Sequence, residues 1–406
     1  MKHVDLENSR MTTTVIGTNL NKFLKYLIII SRLVLLTSHT VIFIASLLSD
    51  YVEFCMLKGK LMNILFLMYA WDKIDPETDS TLRLIHECVS RDHTVAIATP
   101  HNLTMRDSVS SAFCQVFKKG LATPINIMSF YKKAGFQKSQ LPLAGFDAII
   151  MRDNPPLNPI TLNFLDSVRE DVFIMNDIDG LRIANTKLYT ASFDDPKNTF
   201  IPVTHVSKTP EYLVDVLRES VSGRMIMKPL DGYGGQGVIL VEKHAQKSFH
   251  SLLEFYINSG KGGNYVILQE YVEGAEQGDV RILMLNGEPI GAMKRVPASN
   301  EVRSNIHAGG TVVKHTLTKN EKALCKHIGP KLVRDGLYFV GIDVINEKLI
   351  EVNVQSPGGI MRINKLNNVK LQRKVIDFVE SVVNAKEALA QRKNEFRKAI
   401  DDAHII

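Results

Sequence analysis

The sequence predicts a chain of mixed class, α/β and α+β: an N-terminal parallel α/β domain, a small second domain, and a larger C-terminal domain on antiparallel sheet. Three observations predict it. From Met62 to about Asn176, short apolar runs alternate with stretches of helical period, the rhythm of a parallel sheet with helical cover. Between 212 and 272, two apolar runs are joined by a glycine cluster and flanked by helical stretches. Between 281 and 354, two pairs of apolar runs meet at short polar turns, as hairpins do.

In chain order, NILFLMY (63–69) reads as the first strand. STLRLIHECVSRD (80–92) reads as a helix with Ser80 as candidate N-cap and apolar Leu82, Leu84, Ile85 and Val89. HTVAIATP (93–100), FDAIIMR (146–152) and VFIMN (172–176) are strands, with TLNFLDSVRED (161–171) a helix between the last two. In the second domain YLVDVLRESV (212–221) and HSLLEFYINSG (250–260) are helical, while RMIMKPL (224–230), GVILVEK (237–243) and YVILQEYV (265–272) are strands. RILMLNGEPIGAMKRV (281–296) is a hairpin turning at Asn286-Gly287, and LYFVGIDVINEKLIEVNV (337–354) is a second. Residues 371–403 are amphipathic and charge-rich, a terminal helix or two. The expected division is an extension at 1–61, domains at 62–182, 183–272 and 273–370, and a helical tail at 371–406.

Composition is that of a globular chain, 45% hydrophobic and 23% charged. The net charge of +6 is carried by the ends. Residues 1–61 hold 7 Lys/Arg against 4 Asp/Glu, and 362–406 hold 10 against 6, so the body between them is near neutral. A nucleic-acid binder carries its basic stripe on the folded body, so nucleic acid is excluded as a partner. Cys55, Cys88, Cys114 and Cys325 form no CxxC pair and point to a reducing, cytoplasmic compartment. Residues 23–48 are strongly apolar but interrupted by Lys25 and Arg32, and their longest uncharged run, Leu33 to Ser49, is 17 residues, the short limit of a membrane span. Three readings stand: a membrane anchor on a cytoplasmic catalytic domain, a buried helical hairpin, or an extension ahead of a natural start at Met62. The strand that opens at Met62 favours the last.

Three clusters carry chemistry. MKPLDGYGGQGV (227–238) holds Gly232, Gly234, Gly235 and Gly237. It matches GxGxxG literally, but a strand rather than a helix follows, and no Lys-Ser/Thr pair is present, so neither a dinucleotide fold nor a Walker loop fits. A glycine loop between two strands can fold over nucleotide phosphates with bare amides donating. Four glycines in six residues exceed the needs of one turn, and Lys228 sits at its base. The second cluster is Asp343, Glu351 and Asn353. Glu351 and Asn353 share a strand face. A three-residue turn at 346–348 places Asp343 opposite Glu351, whereas a two-residue turn pairs it with Ile350 and turns it away. Converging carboxylates and an amide oxygen suit Mg²⁺ bridging a triphosphate. The third is Arg281, Arg295 and Arg303, with Lys294, ahead of Asn305; arginines brought together by a hairpin can meet a phosphoryl group and a carboxylate.

Together these segments resemble the bacterial glutathione synthetase family of ATP-grasp ligases from about Met62 to Ile363. The resemblance rests on MRDNPP (151–156), LRIANTKL (181–188), MKPLDGYGG (227–235), GDVRILMLNGEP (278–289), RVPASNEVRSNIHAGG (295–310), IGPKLVRDGLYFVGIDVI (328–345) and EVNVQSP (351–357). It implies the ATP-grasp fold, ATP, and Mg²⁺ with Mn²⁺ as an alternative. It implies Lys187 and Lys228 on the ATP phosphates under Gly232, Gly234 and Gly235, and Gln269, Glu270, Tyr271 and Val272 at the adenine. It implies Arg281 and Arg295 at the transferring phosphoryl group, with Arg303 and Asn305 in a closing loop. Arg152, Ser356 and Gly358 fall on the substrate side, and Asp343, Glu351 and Asn353 are the implied metal ligands. The implied partners are small molecules, a dipeptide-like carboxylate and an amino acid, in a chain that could be a homo-oligomer and whose extension could touch a membrane.

Two departures stand out. The family's Ser-Pro-Thr, small residue, Ile-Arg-Glu becomes SPGGIMRIN (356–364), with Gly358 in place of Thr and the arginine displaced to Arg362. The closing loop ASNE (298–301) is poorer in glycine. The implied reaction is attack of a carboxylate on the γ-phosphate, then attack of an amine on the acyl phosphate, which must be shielded from water. Cutting the loop at Ala298–Val302 should therefore uncouple the reaction: phosphate released per peptide formed rises well above one. A ratio that stays near one, with only the rate changed, rules out a water-excluding loop.

Overall fold

The structure, a computed structural model, describes residues 60–118, 123–230, 237–258, 264–297 and 310–403. The extension 1–59, Gly232, Gly234, Gly235, Arg303 and Asn305 lie outside the described residues.

The first sheet has seven strands: β1 (Asn63–Met68), β2 (Thr94–Ala98), β3 (Leu103–Arg106), β4 (Val109–Phe117), β5 (Phe136–Pro142), β6 (Ala148–Arg152) and β7 (Phe173–Met175). β2, β1, β6 and β7 are parallel, as the apolar rhythm predicts. β1 buries both faces: Ile64, Phe66 and Met68 on one, Leu65 and Leu67 on the other. The antiparallel edge of β3, β4 and β5 was not foreseen. β5 alternates intermediate with exposed residues and carries Lys138 and Gln140, so it lacks the apolar signal of a core strand. Helix α1 (Ser80–Ser90) is capped by Asp79, not Ser80; the Asp79 carboxylate accepts from Leu82 N at 2.7 Å. Helices α2 (Ile127–Lys133), α3 (Pro159–Asp166), α4 (Ile178–Ala184) and the short α5 (Leu188–Ala191) follow. α3 ends earlier than its apolar pattern suggests, and Val168 and Val172 are buried from turns.

A four-stranded antiparallel sheet comes next: β8 (Thr204–Ser207), β9 (Arg224–Pro229), β10 (Ile239–Glu242) and β11 (Val266–Glu270), in the order β10-β9-β11-β8. Helices α6 (Pro210–Glu219) and α7 (Gln246–Asn258) cover it through Leu213, Leu217, Phe249 and Leu253.

The third sheet is antiparallel, in the order β14-β13-β12-β15-β16: β12 (Asp279–Leu285), β13 (Glu288–Val296), β14 (Thr311–Lys314), β15 (Phe339–Ile345) and β16 (Lys348–Asn353). Asn286 (φ 49°) and Gly287 (φ 80°) make the β12–β13 turn with the positive φ that this dipeptide favours. Helix α8 (Lys319–Arg334) starts in a Thr318–Glu321 capping box and lies so close to that turn that a Cβ on Gly329 would sit 2.4 Å from the Gly287 oxygen. α9 (Ile360–Asn367) precedes α10 (Leu371–Ala403), a single helix whose first half buries Val375, Ile376, Val379 and Val383. No described helix is long and apolar enough to cross a membrane.

The first and third sheets share their cores: Leu65, Ile149 and Ile174 pack in one cluster with Ile282, Val340 and Ile342. Buried Asn176 ties them by polar bonds as well. Its amide nitrogen donates to Phe339 O and Val354 O at 2.8 Å each, and its oxygen accepts from Phe339 N at 2.7 Å. Asn176→Ala strands three buried backbone groups, so it should destabilise the protein by about 3–5 kcal/mol. A loss under about 1 kcal/mol in denaturant titration would show that these bonds are dispensable.

Candidate active site

The second hairpin decides the site. Its turn is the two-residue Asn346-Glu347, both at positive φ, with Ile345 opposite Lys348 and Val344 opposite Leu349. By plain register that turn points Asp343 away from Glu351. A bulge between Asp343 and Val344 restores the pairing, and Asp343 lies opposite Glu351. Arg281 on β12 is directly opposite Asp343 on its other side, so Arg281, Asp343 and Glu351 form a row across three strands.

Asp343 is 6% exposed and anchors the cluster. Its Oδ1 accepts from Arg281 Nε at 2.5 Å and lies 2.9 Å from Arg295 Nη2. Its Oδ2 accepts from Arg281 Nη2 at 3.0 Å and Asn353 Nδ2 at 3.1 Å. Burial pushes the Asp343 carboxyl up, but the Arg281 and Arg295 guanidiniums overcome it and hold it well below the usual carboxylate range. Arg295 also pairs with buried Asp279, its Nε donating to Oδ1 at 2.9 Å. Asp279 is the acid that the sequence reading missed. The Asn286-Gly287 turn in plain register pairs it with Lys294, and a second bulge, between Leu283 and Met284, moves its partner to Arg295.

Two lysines face this row. Lys187, at the start of α5, places Nζ 3.4 Å from Glu351 Oε1. Lys228, on β9 and 7% exposed, donates from Nζ to Gln269 Oε1 at 2.7 Å. Gln269 in turn donates to Thr204 Oγ1 at 2.9 Å, so its side chain orients Lys228. Burial lowers the Lys228 ammonium to about 8, Glu351 opposing and Lys187 assisting. Beyond Gln269 the chain leaves the second sheet: Glu270 N donates to Val203 O, Tyr271 packs its ring under Arg224, and Val272 O accepts from Ala275 N.

Arg152, at the end of β6, is 2% exposed and forms no ion pair with a carboxylate among the described residues. Nε donates to Thr81 Oγ1 at 3.0 Å and Nη2 to Pro357 O at 3.1 Å, while Nη1 is buried without a hydrogen-bond partner among the described residues. Ser356 Oγ donates to Arg152 O at 3.1 Å, and Gly358 O accepts from Arg281 Nη1 at 3.5 Å, so loop 356–359 bridges the two arginines. A cavity of about 350 Å³ opens nearby at the carboxyl ends of β1 and β2, lined by Tyr69, Trp71, Thr99, Asn102, Gln115 and Phe136. β1 has parallel neighbours on both sides, and the cavity lies on its β2 side, at the carboxyl ends where open α/β sheets take ligands.

The donor set fits a hard cation. Among the described residues no cluster of three or more His, Cys, Asp or Glu could cage a metal. Two carboxylates and an amide oxygen remain, the partial set that leaves positions for phosphate oxygens and water, as Mg²⁺ prefers. All four acceptor positions of Asp343 are already in use, so a cation would replace a hydrogen bond there.

Comparisons with known proteins agree with this geometry. Two family models match: the prokaryotic glutathione synthetase N-terminal domain over residues 62–182, and the prokaryotic glutathione synthetase ATP-grasp domain over residues 186–368. Glutathione synthetase of Gloeobacter violaceus is 36% identical over 329 residues, 78% of this chain and 96% of that one. That of Thermosynechococcus vestitus is 33% identical over 335 residues, 79% of this chain and 100% of the relative. Among solved structures, D-cycloserine synthetase DcsG superposes with a TM-score of 0.51 at 14% identity, covering 80% of this chain and 99% of that one. The macrocyclase MdnB of Microcystis aeruginosa gives 0.51 at 14%, covering 78% and 99%. These two show the fold, which is ATP-grasp. The chain belongs to the prokaryotic glutathione synthetase family, ATP-dependent carbon–nitrogen ligases that act on small-molecule substrates and use ATP and a divalent metal.

Proposed function

We propose that the enzyme joins γ-glutamylcysteine to glycine through an acyl phosphate, with Mg²⁺ as the metal and Mn²⁺ as a substitute. The observation that carries this reading is the meeting of Lys187 and Lys228 with the Arg281–Asp343–Glu351 row, beside a buried guanidinium that lacks an anion.

In this reading Lys187 and Lys228 hold the phosphates beneath Gly232, Gly234 and Gly235, and Gln269 keeps the Lys228 ammonium aimed. Glu270, Tyr271 and Val272 receive the adenine. Glu351, Asn353 and Asp343 would hold the metal, which neutralises phosphate charge. Arg152 takes a carboxylate of the acid substrate on its unpartnered Nη1, with Ser356 and Gly358 beside it. That substrate's reacting carboxylate oxygen attacks the γ-phosphorus, and the bond to the β-bridging oxygen breaks, releasing ADP. Arg281 and Arg295 stabilise the charge on the transferring group. The unprotonated glycine nitrogen then attacks the acyl carbon, the carbon–oxygen bond breaks, and the departing phosphate leaves with the proton that the nitrogen loses. Arg303 and Asn305 close the site against water. The described cysteines, Cys88, Cys114 and Cys325, are buried free thiols, and burial pushes each up, which supports a reducing, cytoplasmic setting.

Glu351→Gln and Asn353→Ala each remove a ligand oxygen, so turnover should fall by at least about a hundredfold in both while the thermal midpoint stays within a few degrees. Near-wild-type rates in both variants would refute the metal assignment.

Lys228 gives a pH signature. Its folded value, about 8, lies below the unfolded one, so from about 8 to about 10.4 the unfolded chain holds a proton that the folded chain lacks, and stability gains with rising pH. Below that window both states are protonated. A triphosphate restores the charged form, so nucleotide binding near pH 9 should take up close to one proton. Calorimetry in two buffers of different ionisation enthalpy measures this. Equal uptake by wild type and Lys228→Met removes Lys228 from the phosphate site.

A further inference from the structure

Loop 356–359 ends in two glycines whose reasons differ. Gly359 is required by the fold. Its φ is +119°, it caps α9, and a Cβ there would press to 3.2 Å from Met293 Cε. Gly358 is required by neither backbone nor packing. Its φ lies outside the left-handed region, and a Cβ built on it would meet no atom of the described residues within 4 Å, its chain neighbours aside. A side chain would fit, and its absence leaves open space beside the reacting groups. The Gly358 carbonyl accepts from Arg281, whose guanidinium is bound to Asp343, and the preceding carbonyl, Pro357 O, accepts from Arg152. Residue 358 therefore stands between the phosphoryl-transfer cluster and the buried arginine.

We propose that Gly358 is a specificity-determining residue, and that the space it leaves receives the Cα substituent of the incoming amino acid, so that acceptors larger than glycine are joined. The proposal rests on the ligase reading above. The acyl carbon forms at the Arg281 end of the site, and an attacking amine brings its Cα within two bonds of that carbon. The Cα substituent then falls in the shell around Arg281 that Gly358 leaves empty. No other atom of the described residues lies within 4 Å of a Cβ there, so the space takes at least a methyl or hydroxymethyl group, as on alanine or serine. One methylene against a fitted wall is worth about tenfold to two-hundredfold in kcat/KM.

The test measures kcat/KM for glycine, alanine and serine with ATP, Mg²⁺ and γ-glutamylcysteine, in wild type, Gly358→Thr and Gly358→Ala. Wild type should use alanine or serine within about tenfold of glycine. The alanine-to-glycine ratio should fall at least about tenfold in Gly358→Thr, and by less in Gly358→Ala, whatever the overall rate. Gly358→Ala adds one methyl group into open space and keeps the test readable if the threonine variant misfolds. A wild type confined to glycine overturns the proposal. So does a ratio unchanged in both variants, or a change of preference confined to the acid substrate. Failure of the wild type to release ADP with any acid and amine pair defeats instead the ligase reading beneath it.

Discussion

The site depends on one buried carboxylate. Taking Asp343 out of water costs several kcal/mol unless its charge is matched at close range. The match is made by two guanidiniums and one amide, which fill every acceptor position it has. Arg295 spans Asp343 and Asp279, so the second acid is tied into the same network. The two guanidiniums carry the charge compensation and the Asn353 amide adds a neutral bond, so the network ties β12, β13, β15 and β16 together. On the proposed reading, a cation held by Asp343 shares it with Arg281 and Arg295, so the metal and the two arginines are placed together.

Much of this was legible in the sequence. The apolar rhythm from Met62 predicts the four parallel strands, and Asn286-Gly287 names its own turn. Glu351 and Asn353 share a face by parity alone. The failures have a common cause, which is irregularity that no periodicity carries. The bulge at Asp343/Val344 makes a two-residue turn give the pairing expected from a three-residue one. The bulge at Leu283/Met284 gives Asp279 to Arg295 and hides it from a reader counting outward from the turn. Asp79 caps α1 although Ser80 follows it, because the Asp side chain reaches Leu82 N from an extended backbone. The edge strands β3, β4 and β5 went unseen because Gln and Lys line the outer one. The glycine loop and the closing loop lie outside the described residues, so the roles given to Gly232, Arg303 and Asn305 rest on the resemblance.

Arg152 and Arg281 are joined by one short segment, residues 356–359. Arg152 is buried with no ion pair among the described residues, and burial disfavours its charged form more than Tyr69 and Asp79 support it. The fold tolerates this because Thr81 and Pro357 take two of its donors, leaving Nη1 for an anion. Pro357 belongs to the loop whose next carbonyl meets Arg281, and Ser80 at the start of α1 accepts from Gly359 N and Ile360 N at the start of α9. The segment is therefore pinned at one end to β6 of the first sheet, at the other to helix α1, and in its middle to the third sheet. On the proposed reading, a carboxylate bound by Arg152 acts on a loop already in contact with Arg281, the guanidinium assigned to the transferring phosphate. Occupancy by the acid substrate and placement of the phosphoryl-stabilising arginine then depend on the same four residues, which suits a reaction whose intermediate must form only when the acid is in place.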